Sequence, residues 1–436
     1  MKKFGLYVAL AVLATLPGVI LRLTGFHGAP LVGTLIFGVA ILGAGFLLSW
    51  GAEAAEGHVS QGLAIAALAL ITVLPEYAVD IYYTWQAGHH PGSPYVGYAA
   101  ANMTGANRLL IGTAWPLIAL LYWWRSGKRA VPLVWENAAE VAYLAVASLY
   151  SFVITLKGRI DLVDMVVLLA IFGAYVWRVS KLPKREGDDD DDDDEAEPGP
   201  AAALEQLPPA RQRLVIGALA VVAAAAILLV AAPFAEALVR TGADLHINQV
   251  LLIQWIAPLA GEAPELVITV LFTLALRPTA ALGALVSDKI NQWTLLVGMI
   301  PLVYSLAAGH VAALPLDARQ HEEFFLTAAQ SLFAVALLLR LRLSLLSGVV
   351  LLALFVVQLG LGVAYRADEA ALIRSLTAMA WGYMALAALV LLWNRRFLLR
   401  YVAVGLLNRP TPPAATTVED DDVADGRRGE SAATGR

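Results

Sequence analysis

Apolar residues run along this chain in blocks of about twenty, and the polar residues between them fall in short clusters. "QGLAIAALALITVLPEYAVDIYYTWQAG" shows the pattern: a continuous apolar stretch interrupted by Glu76 and, one helical turn later, Asp80. About twenty residues rising 1.5 Å each cross a hydrocarbon core about 30 Å thick, so such blocks read as transmembrane helices. The pattern predicts spans near 4–22, 30–50, 60–86, 95–123, 135–156, 160–179, 213–240, 247–276, 279–307, 322–340, 344–364 and 372–394. The expectation is an all-α polytopic membrane protein of about twelve helices.

Composition agrees. Of 436 residues, 59% are hydrophobic and 15% charged, with a mean hydropathy of +0.69. A soluble domain carries about 45–50% apolar and about 25% charged residues. The absence of cysteine excludes a disulfide framework, thiol chemistry and Cys-based metal sites. A net charge of -5 sits mostly in two soluble segments and gives no reason to expect nucleic acid. The partners expected are the lipid bilayer and inorganic cations; protein partners are not legible. The start, "MKKFGLYVALAVLATLPG", resembles a signal peptide, but the apolar run continues through Pro17 to Leu23 without a small-x-small site. It is read as a retained helix, with a cleaved signal as the alternative.

Loop charges orient the spans. With the N-terminus inside, inner loops collect Lys2, Lys3, Arg125, Lys128, Arg129, Arg178, Lys181, Lys184, Arg185, Arg211, Arg213, Arg277, Arg340, Arg342, Arg395 and Arg396. Outer loops keep scattered basics such as Arg22, Lys157, Arg159, Arg240, Arg319 and Arg366. Both termini are expected in the cytoplasm, in a plasma (inner) membrane. The run "KREGDDDDDDDEAEPGP" lies in segment 181–212, which reads as a disordered acidic linker. A cation-concentrating role is the alternative, although the run lacks EF-hand spacing. The domain plan is an extra helix in 1–29, a repeat in 30–180, the linker, a second repeat in 213–365, an extra helix in 366–400 and a disordered tail in 401–436.

The repeat carries the chemistry. Pro75, Glu76 and Thr84 align with Pro264, Glu265 and Thr273; Asp80 falls opposite Thr269. Each stretch precedes a span with unusual polar residues, "YAAANMTGANRLLIG" and "LGALVSDKINQWTLLVG". Corresponding spans are an odd number apart, so the two Pro-Glu helices run oppositely, as in transporters built from inverted repeats. Proline inside a helix removes a backbone hydrogen bond and kinks it. In a membrane the freed carbonyls are tolerated only where protein or water re-satisfies them. A carboxylate beside them adds a hard oxygen ligand suited to Ca²⁺. An acid at the bilayer centre costs roughly 2.5–3.5 kcal/mol on insertion scales, so it reads as functional.

The double Pro-Glu repeat, the paired second segments, the five-plus-five core around an acidic loop and the orientation resemble the sodium/calcium exchanger family, the cation/Ca²⁺ antiporters. There the motifs read G-T-S-x-P-E and G-N-x-x-G-S-N-x-F-N/D, with glutamates and small polar residues lining the ion sites. The resemblance covers about 30 to 364 and implies inverted five-helix repeats. By it, Glu76 and Glu265 are the central metal ligands, joined by Thr72, Asn102 and Asn107 where the motifs match. Departures are extensive. Ile71 and Val73 replace the first glycine and the serine, Ala106 and Leu110 stand at later ligand positions, and Arg108 lies between them. Glu262 replaces a serine one turn before Glu265; Ala284, Asp288 and Lys289 replace Asn, Ser and Asn; Gln292 takes the last Asn/Asp position.

Five carboxylates (Glu76, Asp80, Glu262, Glu265 and Asp288) against Arg108 and Lys289 leave a net -3, enough for a divalent cation with protons making up the difference. Asp80, Glu262, Asp288 and Gln292 are the auxiliary ligands or proton carriers. Arg108 and Lys289 balance charge or couple, with Lys289 standing as a tethered cation where Na⁺ would otherwise sit. Crowded carboxylates cannot all ionise cheaply, which favours H⁺ over Na⁺ as the coupling ion.

Plainer readings stand beside these. Glu262 could pair with Lys289, and Glu76 or Asp80 with Arg108, as bracing ion pairs. Asn102 and Asn107 could be interhelical glue. Glu136, Asn137 and Glu140 read as interfacial, Asp161 and Asp164 as a helix cap, and His58, His89 and His90 as loop residues. Trp50, Trp85, Trp123, Trp124 and Trp393 read as an aromatic belt. The function expected is secondary active antiport of Ca²⁺ or a similar cation, the cation being substrate and no cofactor being implied. The alternatives are a non-transporting scaffold and an intramembrane enzyme. For the enzyme there is no H-E-x-x-H, no G-x-S-x-G and no nucleophile–base pair.

Overall fold

Glycine, proline and capping carboxylates set where these helices start and stop. The computed structural model describes residues 2–25, 28–55, 73–181, 204, 207–395 and 397. Helices α1 (Lys2–Thr24) and α2 (Pro30–Ala55) precede α3 (Leu74–His89). Helix α4 (Tyr95–Leu109) passes through a π turn, Leu110–Ala114, into α5 (Trp115–Ser126); α6 (Asn137–Lys157) and α7 (Leu162–Val179) follow. The second half begins with α8 (Pro209–Asp244) and α9 (Gln249–Leu274). Helix α10 (Pro278–Asn291) runs through a second π turn, Gln292–Leu296, into α11 (Val297–Ala308). Helices α12 (Ala318–Leu338), α13 (Leu345–Ala364) and α14 (Glu369–Trp393) complete the bundle.

Among the described residues, nine helices are long and apolar enough to cross a membrane. The expected boundaries fall close: 135–156 is found as Asn137–Lys157, and 344–364 as Leu345–Ala364. The span expected at 322–340 begins earlier, at Ala318, because Asp317 caps it by accepting from the Gln320 N–H at 2.7 Å. The first part of the 60–86 span, Thr72, His58, most of the acidic linker and the tail beyond 397 lie outside the described residues.

Two prolines behave differently from each other. Pro264 lies inside α9, as expected, and Pro258 lies there too. Pro75 instead occupies the first turn of α3, where a missing N–H costs nothing, so no kink within a described helix is found there. Pro258 cannot donate to the carbonyl of Gln254, four residues back. Gly105 of α4 packs against that carbonyl, where a β-carbon would overlap the oxygen. Gly261 of α9 likewise faces Glu76; a β-carbon there would sit 2.8 Å from the Glu76 Cγ. These two close approaches bring α3 and α4 onto α9.

Among the described residues, four short strands tie the halves together. Strand β1 (Ala130–Pro132) pairs antiparallel with β4 (Arg342–Ser344), and β2 (Arg159–Ile160) with β3 (Leu314–Pro315). Strands β1 and β2 flank α6, β3 and β4 flank α12, and each of these helices has 21 residues, about 31 Å. The segment after α5 therefore pairs at one end of the bundle, and the corresponding segment after α11 at the other. Both follow a helix ended by a glycine in the left-handed region, Gly127 at φ 73° and Gly309 at φ 74°. Helix α2 lies against α8, with the Thr34 and Thr241 hydroxyls 2.9 Å apart. The belt expectation needs one correction: Trp50 is buried against Tyr7 and Phe46, whereas Trp85, Trp123, Trp124 and Trp393 are exposed.

Candidate cation site

Helix α3 stacks Glu76, Asp80 and Thr84 on one face at a spacing of four, and all three are buried. Helix α9 sets Glu262 one turn before Glu265, with Thr269 and Thr273 continuing that face. The α3–α9 crossing brings the Glu76 carboxyl beside that of Glu262. Glu265 likewise lies near Asp288 of α10. Glu76 and Glu262 are each 3% exposed, while Glu265 and Asp288 are half-buried. The acids of the two halves thus meet at one place.

Few protein donors serve this cluster. Asn102 Nδ2 donates to Asp80 Oδ1 at 3.0 Å, and Gln292 Nε2 donates to Glu262 Oε1. Among the described residues, neither oxygen of Glu76 receives a protein donor, nor do Asp80 Oδ2, Asn102 Oδ1, Glu262 Oε2 or Gln292 Oε1. Buried oxygens without donors are costly unless a proton or a cation satisfies them. Among the described residues no three His, Cys, Asp or Glu side chains converge as a preset metal cage; the carboxyls instead pair off in twos. Such pairs are stable when one proton lies between the two oxygens, and the same oxygens suit a hard divalent cation. Tyr77 braces the wall by donating to Asn291 Oδ1 at 2.7 Å.

The two buried cations do not sit where sequence spacing allowed. Arg108 pairs with neither Glu76 nor Asp80. Its guanidinium makes an ion pair with Glu323 of α12, lies 5.2 Å from the Trp255 ring, and donates Nε–H to the Thr104 carbonyl at 3.2 Å. Gln254 Nε2 donates to the same Glu323 at 2.7 Å, and Arg319 stands 3.6 Å from its other oxygen. Lys289 does not hydrogen-bond Glu262. Its ammonium donates to the Asn107 carbonyl at 2.7 Å and to Asn107 Oδ1 at 2.6 Å. Asn102 and Asn107 therefore do bridge helices, each to an ionisable partner. Glu323 was not foreseen, although the buried polar series Glu323, Thr327, Gln330 and Ser331 on α12 carried a helical-period signal.

A cavity of about 770 Å³ opens at the end of the bundle that holds β2 and β3. Its lining includes Tyr98, His246, Gln249, Asp317, Arg319 and Gln320. On its wall the Tyr98 hydroxyl donates to Gln249 Oε1. One turn inward along α4 from Tyr98 comes Asn102, and beyond it Asp80 and the carboxyl cluster. The remaining polar residues are local. Asn137 Nδ2 donates to Glu140 Oε2 at 2.7 Å. Asp161 and Asp164 form a capping box on α7 that Lys157 joins at 3.0 and 2.7 Å. His89 and His90 lie at the exposed end of α3.

A family model described as sodium/calcium exchanger protein matches residues 29–181 and 215–363. A solved H⁺/Ca²⁺ exchanger, CAX, is 38% identical, with a TM-score of 0.84 over 92% of this chain and 98% of that one. Two structures of the sodium-calcium exchanger NCX_Mj soaked with Na⁺ and Sr²⁺ give TM-scores of 0.52 and 0.51 at 16% identity. They cover 78% of this chain and 98–99% of theirs, a likeness of fold. No curated protein sequence matches.

Proposed function

This chain belongs to the sodium/calcium exchanger family, and from that premise we propose that it exchanges Ca²⁺ or a similar divalent cation for H⁺ by alternating access. Membrane cation antiport rather than enzyme chemistry is what the family does. H⁺ as the coupling ion rests on one feature, the closeness of Glu76 to Glu262 and of Glu265 to Asp288 in a buried cluster short of donors. Two carboxyls repel unless a proton lies between them. Two shared protons and one divalent cation bring the same charge, so each can replace the other without changing the charge of the pocket. Glu76 and Glu265 would be the central ligands, with Glu262, Asp288 and Gln292 completing the oxygen set. Asp80, held by Asn102, would relay protons toward the cavity. The 38%-identical H⁺/Ca²⁺ exchanger supports this choice.

The architecture proposed is twelve spans: the nine apolar helices together with α3, α4–α5 and α12. Residues 30–180 and 213–365 would form inverted five-helix repeats, and α1 and α14 additions. The crossed strand pairing supports inversion, since equivalent segments after α5 and α11 lie at opposite ends of the bundle. The distribution of Lys and Arg supports cytoplasmic termini in a plasma (inner) membrane, with the cavity opening outward.

The test is Ca²⁺ flux into proteoliposomes under an imposed pH gradient, with and without Na⁺. Flux should follow the pH gradient, ignore Na⁺, and disappear in Glu76→Gln and in Glu265→Gln. Flux that follows a Na⁺ gradient and ignores pH overturns the coupling. Absence of flux for every cation tried returns the chain to the scaffold alternative.

A further inference from the structure

We propose that the Lys289 ammonium is a built-in monovalent cation of the exchange pocket, filling a site that would otherwise bind a free alkali ion. The inference rests on the antiport reading and names what makes its coupling indifferent to Na⁺. The two buried basic residues near the acids are committed differently. Arg108 is ion-paired with Glu323, which Gln254 and Arg319 also contact, so its charge is spent outside the pocket. Among the described residues, Lys289 hydrogen-bonds only uncharged oxygens, the carbonyl and the side-chain amide of Asn107. It is 0% exposed, and its ammonium stands 5.2 Å from the Trp293 ring. Two amide oxygens and an aromatic face at these distances are the surroundings of a dehydrated monovalent cation.

The fold builds this cradle. The α-helical ladder of α4 ends with the Leu110 N–H bonded to the Ala106 carbonyl, and the π turn begins there. The next carbonyl, that of Asn107, is the one that receives Lys289. Among the described residues, Glu262 of α9 and Arg108 of α4 are charged groups that act on Lys289 across the pocket without bonding to it. Glu262 belongs to the carboxyl cluster, so the tethered charge is felt there without direct contact. With Lys289 in place, the cluster needs one positive charge fewer from solution. Remove the ammonium but keep the oxygens, and the pocket should recruit a solution cation.

Lys289→Ala leaves room at the Asn107 oxygens; Lys289→Met fills that room without charge. Thermal unfolding of the full chain in detergent would be followed while NaCl replaces choline chloride at constant ionic strength. A bound ion stabilises the folded state by mass action. Lys289→Ala should gain roughly 3–6 °C at saturating Na⁺, whereas the parent chain and Lys289→Met should each move by less than about 1 °C. In proteoliposomes, pH-driven Ca²⁺ flux by Lys289→Ala should become Na⁺-dependent. Equal Na⁺ responses in all three proteins overturn the proposal. If Lys289→Ala does not fold, a Lys289→Met flux with the parent's proton-to-Ca²⁺ ratio overturns it, and a changed ratio supports it. A parent chain without pH-driven flux would instead count against the antiport reading, because the Na⁺-binding comparison stands independently.

Discussion

Arg108 and Glu323 illustrate what a charge does when water is absent. Each is almost fully buried, on α4 and α12, and each would be intolerable alone. Breaking one side of a buried pair typically costs about 3–5 kcal/mol, whereas replacing both partners with apolar groups is often close to neutral. Arg108→Met and Glu323→Leu should therefore each destabilise by about that amount, and the double variant should recover most of the loss. Denaturant unfolding of the solubilised protein measures this, and simple additivity of the single losses would deny the coupling. At Glu76 the logic differs, because among the described residues no basic side chain is ion-paired with it. Its buried oxygens stay available to an exchangeable partner, which is what a transported ion or proton requires.

Among the elements, the α6–α7 turn is held by chemistry that sequence shows plainly. Asp161 accepts from the N–H groups of Val163 and Asp164, Asp164 returns a bond to the Asp161 N–H, and Lys157 donates to both carboxylates. Burial alone would raise the Asp161 pKa, but the hydrogen bonds from Lys157 and the backbone outweigh it and leave it below the ordinary carboxylate value. A lowered folded pKa means that this stabilisation is complete above the unfolded-state value and fades as pH falls through the folded one. Asp161→Ala should cost about 1 kcal/mol near neutrality. The difference from the parent should close in acid below the usual Asp range, as melting curves across pH would show. The α4–α9 crossing, by contrast, depends on Pro258 sparing the Gln254 carbonyl and Gly105 lacking a β-carbon. Neither residue announces the other along the chain.

For the whole molecule, the cavity at the β2–β3 end is lined by residues of both halves. On its wall the Tyr98–Gln249 hydrogen bond joins α4 to the start of α9 and so joins the two halves. Under the proposed alternating-access cycle these elements would move apart and together. The chain has no cysteine, so a single introduced pair is unambiguous. Tyr98→Cys with Gln249→Cys should form a disulfide under oxidation, stop Ca²⁺ flux in proteoliposomes, and release it on reduction. Full flux with the crosslink verified would mean that the halves do not separate there.

By itself the sequence determined, among the described residues, most of the helical spans and their ends to within a few residues, and it offered the acids Glu76, Glu262, Glu265 and Asp288 as candidates. These follow from local causes: about twenty apolar residues per crossing, capping side chains, and the cost of ions in hydrocarbon. Only the tertiary structure decided the pairings. Glu76 meets Glu262, Glu265 meets Asp288, Arg108 chooses Glu323 over Asp80, and Lys289 settles on Asn107. Long side chains on neighbouring helices can reach several partners each. Which one they find depends on helix rotation and crossing distance, set by packing such as Gly105 on Gln254 and Gly261 on Glu76, between residues more than a hundred positions apart.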